Sequence, residues 1–173
     1  MRRMFVALGA ALPVAASMSF APTAQAADAV CFASTQFGLS CVTADGIKSY
    51  ARGKDLPIRS ISDMKSCGDK IAIAGSSQIV LFDGEKFDAP VRSTTGASKV
   101  SCDGKGGIWT TGFRGVSYWD GSGWKSWSRD DVAQGEKSKY LTDLAAGPDG
   151  TVWVIVGGRS VAHYDGKAWK IFK

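Results

Sequence analysis

The chain contains no asparagine and a single histidine, His163, among 173 residues. Without asparagine there is no N-glycosylation sequon. With one imidazole, a site built on several converging histidines cannot be assembled. An excess of charge is also missing: 21 Lys+Arg against 16 Asp+Glu leave +5, too mild and too scattered for nucleic-acid binding. G-x-S-x-G, H-E-x-x-H and P-loop motifs are absent. No stretch after the first 26 residues sustains a 3.6-residue apolar period with caps, so almost no helix is expected. What remains, 45% hydrophobic residues and 21 glycines, suits one globular domain and excludes a disordered, collagenous or polytopic membrane chain.

Residues 1–26 carry Arg2 and Arg3, an apolar stretch from Met4 to Phe20 broken at Pro13, and Ala24-Gln25-Ala26. This is the pattern of a secretory leader cleaved before Ala27, and the run is short for a membrane span. Cleavage leaves one domain, 27–173, with a net charge of +3 and no span. The polar residue usual before a twin-arginine pair is missing, which points to the general export route. Cys31, Cys41, Cys67 and Cys102 all survive cleavage. An even count in an exported chain favours disulfides, and spacings of 10, 26 and 35 do not suit a metal.

Four Asp-Gly turns, each followed by an aromatic, recur along the chain: Asp45-Gly46 with Tyr50, Asp83-Gly84 with Phe87, Asp120-Gly121 with Trp124, and Asp165-Gly166 with Trp169. Intervals of 38, 37 and 45 residues read as four-stranded propeller blades. Within a repeat, β-branched and aromatic runs alternate with turns, as in 107–111, 116–119 and 124–127, then 151–155, 161–164 and 169–172. In the second repeat the outer strand is expected at Lys86-Phe87. Candidate inner strands lie at 60–67, 98–103 and 140–146, and the first repeat has none. The fold class is therefore all-β and propeller-like, with about four blades of mostly four antiparallel strands. A small closed ring, an open array and a ring completed by a homodimer all remain open.

Asp103-Gly104, Gly107-Ile108-Trp109, Gly115-Val116, Tyr118 and Asp120-Gly121, with Asp149-Gly150, Val152-Trp153, Gly157-Gly158, Val161 and Tyr164-Asp165-Gly166, resemble the propeller repeats of periplasmic sensors in two-component regulators. The resemblance covers roughly residues 60–173. It implies a bacterial periplasmic or secreted architecture without a catalytic signature. The kinase and DNA-binding parts of such regulators are not present in this sequence, so no signalling role is carried over.

Strand register pairs Cys31 with Cys41 across a hairpin and Cys67 with Cys102 between adjacent inner strands, one of three connectivities open to four cysteines. No catalytic, metal or cofactor residue is assigned: His163 reads as a packed or surface side chain, and the recurring Asp residues as turn formers. Binding has the better case. The turns between second and third strands would gather Gln36, Gln78, Arg114 and Arg159 on one face, joined by Arg52, Lys54, Arg59, Arg92, Arg129 and Lys137 from the connections. Such guanidinium groups suit carboxylates or phosphates, and the expected partner is an envelope protein or anionic polymer. The connection 128–139 is of mixed charge and reads as lacking apolar anchors. Trp109 and Trp153 are expected between blades. Trp124, Trp127 and Trp169 near the outer strands are more commonly explained by blade packing; as a stacking platform they keep open a lectin-like reading, and an enzyme is the third class.

Overall fold

Asp-Gly turns and short β-branched runs dictate hairpins. The computed structural model describes residues 29–34 and 38–173, so the expected leader and Gln36 lie outside the described residues. Four antiparallel sheets follow one another. The first holds β1 (Val30–Ser34), β2 (Gly38–Thr43) and β3 (Gly46–Ala51), and the second β4 (Asp63–Cys67), β5 (Lys70–Gly75), β6 (Gln78–Phe82) and β7 (Val91–Arg92). The third holds β8 (Lys99–Cys102), β9 (Ile108–Gly112), β10 (Gly115–Trp119) and β11 (Trp124–Ser128). After α1 (Arg129–Ala133) come β12 (Leu141–Ala146), β13 (Val152–Val156), β14 (Ser160–Tyr164) and β15 (Trp169–Phe172). Strands are neighbours in chain order within every sheet. The expected count of three strands and then four, four and four is what forms.

The turn aspartates act locally. Asp83, Asp120 and Asp165 each accept the N–H groups two and three residues on, at 2.7–2.9 Å. These bonds hold their carboxyls below the ordinary carboxylate range.

Sheets pack face to face in sequence. Cys31, Leu39 and Cys41 meet Ile71, Ile73 and Phe82 between the first pair. Ala72, Ala74 and Ile79 meet Val100 and Ile108 between the second pair. Trp109 and Val116 meet Val152, Val154 and Val156 between the third. Among the described residues no core cluster joins the fourth sheet to the first, and the four sheets form an open arc. The disulfides join as the register requires. Cys31 and Cys41 are direct cross-strand partners, and Cys67–Cys102 ties β4 to β8 with Cα atoms 5.5 Å apart.

Three expectations need correction, and the packing expected of the outer tryptophans is seen. The outer strand of the second sheet is Val91–Arg92, and Phe87 makes only an isolated bridge to Phe82; Pro90 has no N–H for the ladder. The connection 128–139 does have apolar anchors, because α1 buries Val132 and Ala133 completely. Its first turn is held by a reciprocal cap between Ser128 and Asp131. Trp153 is not between blades: it is 43% exposed, whereas Trp109 is 2% exposed, because among the described residues no sheet covers that face of the fourth. Trp127 and Trp169 are packed inside the third core, against Trp109 and Tyr164. Trp124 packs with Trp119 at the edge of the second core, so the three outer tryptophans present no free stacking platform.

Candidate functional site

Antiparallel order places the turns β5–β6, β9–β10 and β13–β14 at the same end of the sheets as the connections between sheets. Residues 93–98, joining β7 to β8, cross this end against the β9–β10 turn. Arg114 N–H donates to Thr95 C=O at 3.1 Å, and Ser98 N–H to Thr111 C=O at 2.7 Å. The approach is so close that a Cβ on Gly112 would strike the Thr95 carbonyl and the Gly96 backbone. Side chains fill the space beneath with hydroxyls. Ser93 bonds Thr110 at 3.2 Å, Thr95 bonds Ser117 at 2.6 Å, and Ser117 bonds Ser126 at 3.0 Å. Thr94 reaches both Ser117 and Ser126. Ser93, Thr95, Thr110 and Ser117 are buried, and the network satisfies them.

Above this floor opens a cavity of about 670 Å³, lined by Ser77, Arg92, Thr94, Ser98, Phe113 and Arg114. Gln78 pairs in register with Arg92 and so stands beside its mouth. Phe113 and Arg114 also border a second cavity of about 390 Å³ with Arg129, Asp130 and Lys139. The Arg129 guanidinium lies 4.5 Å from the Phe113 ring centre, a cation–π contact that fixes its direction. A third cavity of about 490 Å³ gathers Glu136, Lys137, Ser138, Arg159 and Lys173. The structure thus brings Arg114 and Arg129 to one cavity, sets Gln78 across from Arg92, and places Arg159 farther along the same end.

Seven cationic and two acidic side chains line the three cavities. Their difference, +5, exceeds the +3 of residues 27–173, so the rest of that stretch is net negative. Asp130 is paired with Lys139, and Glu136 with Lys173 at 3.2 Å. Arg92, Arg114, Arg129, Lys137 and Arg159 are left without an ion pair among the described residues, and all but Arg129 are exposed. The arrangement can offer planar donors and hydroxyls to carboxylate or phosphate oxygens. The sequence reading missed the hydroxyl floor; the runs Ser93-Thr94-Thr95 and Thr110-Thr111 were its one visible sign.

At the other end of the sheets, Asp103 accepts the Tyr118 hydroxyl at 2.8 Å and the N–H groups of Lys105 and Gly107. Burial, reinforced by that carboxylate, pushes the Tyr118 phenol up to about 12. His163 lies away from the cationic end, on the last sheet, with its ring stacked 4.0 Å from Trp153.

Comparison with solved structures places this arc among known architectures. The likeness is to propellers. A streptogramin B lyase matches at a TM-score of 0.59 and 14% identity, covering 78% of this chain and 47% of that one. The extracellular domain of the putative hybrid two-component system BT4673 from B. thetaiotaomicron matches at 0.58 and 11%, covering 83% and 19%. YCF48 bound to D1 peptide matches at 0.54 and 19%, covering 78% and 46%. Our chain therefore spans about half the length of the lyase and YCF48 chains. No family model matches it, and no curated protein does. Identities this low show the fold alone. Two disulfides point to an oxidising compartment, and no helix among the described residues is long and apolar enough to cross a membrane.

Proposed function

We propose that this protein is an exported, non-catalytic binding module of the periplasmic-sensor propeller-repeat type, which holds an extended anionic partner along the cationic end of its sheets. The observation that carries this reading is the concentration of the chain's net charge on three adjoining cavities. Carboxylates or phosphates spaced along a chain would meet Arg92 and Arg114, then Arg129, then Lys137 and Arg159. Opposite charges attract in proportion to their number and screen with salt. The one imidazole is remote from this end, which supports binding over acid–base chemistry. YCF48, bound to a peptide in a propeller-like chain, supports a polypeptide ligand for such a scaffold.

The test is binding of poly-glutamate and of a cell-envelope extract to the wild type and to an Arg114→Ala/Arg159→Ala variant. Retention by the wild type, weakened by salt and reduced at least tenfold in the folded variant, is the expected result. Equal retention by both would refute the assignment to this end. Failure of the wild type to retain any anionic chain would refute the class.

A further inference from the structure

We propose that the two open ends of the arc are covered by a second copy of this chain, first sheet against fourth sheet twice over, closing an eight-sheet ring. The evidence is a mismatch between equivalent positions. Ile71 and Ile73, Ile108 and Thr110, and Val152 and Val154 occupy the positions by which a sheet meets the one before it, and each is at most 2% exposed. The same positions of the first sheet are Val30 and Phe32, 41% and 59% exposed. In register with Val30 stand Val42 and Ile47, also exposed, so three strands present an apolar row.

The opposite end repeats the mismatch. Ala72 and Ala74, and Trp109 and Thr111, face the following sheet and are at most 2% exposed, while Trp153 and Ile155 of β13 are 43% and 41% exposed. Phe172 lies on the same face through its register with Val161 and Ile155. Val152-Trp153-Val154-Ile155-Val156 is apolar at all five positions, whereas a strand wetted on one side alternates. This run is built for cover on both faces.

What each end lacks is a sheet of this same repeat, and a second copy supplies both at once. From the exposed fractions of these seven side chains, each junction would bury roughly 600 Å² and the pair about 1,200 Å². That reaches the size of a specific interface. Eight sheets fall within the range of about 4 to 8 blades found in propellers. Head-to-tail junctions close a ring or run on as a fibre, and the proposal requires closure at two. It is independent of the anion-binding reading.

The test is sedimentation equilibrium of the protein expressed from its full sequence. A two-chain mass is expected, falling to one chain in Trp153→Asp and in Phe32→Asp. Mixing the two variants should restore pairing, because one intact first face then meets one intact last face. Circular dichroism checks that each variant folds. Should either not fold, Ile47→Cys and Phe172→Cys chains joined by a bis-maleimide report the same junction, with a 47–172 crosslink expected. A one-chain wild type, an open series of masses, a pairing untouched by both variants, or no crosslink would overturn the proposal.

Discussion

Cys67–Cys102 joins two sheets while Cys31–Cys41 staples one hairpin, and the difference can be measured by reduction within a single variant. In a chain carrying only one bridge, reduction removes the crosslink and leaves both sulfurs in place. If bridges act by restricting the unfolded chain, separations of 35 and 10 residues correspond to about 3.8 and about 2.7 kcal/mol at 25 °C. The inter-sheet bridge should therefore contribute about 1.1 kcal/mol more, a sixfold difference in the folding equilibrium. The assay is urea unfolding at fixed protein concentration. Cys31→Ala/Cys41→Ala reports the inter-sheet bridge and Cys67→Ala/Cys102→Ala the hairpin bridge, each measured oxidised and reduced. Equal losses, or a larger loss from the hairpin bridge, would refute the entropic reasoning.

Three further outcomes follow from local geometry. Gly112→Ala forces a Cβ against the Thr95 carbonyl and should cost about 1–3 kcal/mol, whereas Gly123→Ala, with open space around its Cβ, should be nearly neutral; urea midpoints compare them. Asp120 has a lowered folded pKa through its turn N–H bonds, so its contribution is present above the unfolded value and is lost as pH falls through the folded one. Asp120→Asn should flatten the acid limb of a stability–pH profile below about pH 5, and an unchanged limb would contradict it. Tyr118, raised to about 12, should be missing from the ordinary phenol titration followed by phenolate absorbance. Tyr118→Phe should leave that ordinary step unchanged.

Sequence carried most where chemistry is local. Asp83, Asp120 and Asp165 declare their turns because each carboxylate bonds its own neighbours, and Cys31–Cys41 is legible because a hairpin register fixes it. Trp109 and Trp153 sit in the same motif yet differ in exposure; what separates them is a neighbouring sheet, which no local window contains. The five-residue α1 is too short to show a period, although Ser128-x-x-Asp131 spells its cap. Arg92 joins Arg114 only because the Gly96–Gly112 approach steers the connection across the β9–β10 turn. That path is a tertiary fact.

The cavity beside Arg92 and Arg114 rests on hydroxyls whose donors and acceptors can exchange roles. In the contacts Ser93–Thr110, Thr94–Ser117, Thr95–Ser117 and Ser117–Ser126, either oxygen can give the proton. Such O–H bonds rotate to suit their surroundings. The floor is therefore polarisable: its dipoles can turn toward a charge placed in the cavity that Ser93, Thr94 and Thr95 line, with no shift of heavy atoms required. An incoming anion would meet a surface whose response needs only the reorientation of protons, faster than any backbone motion.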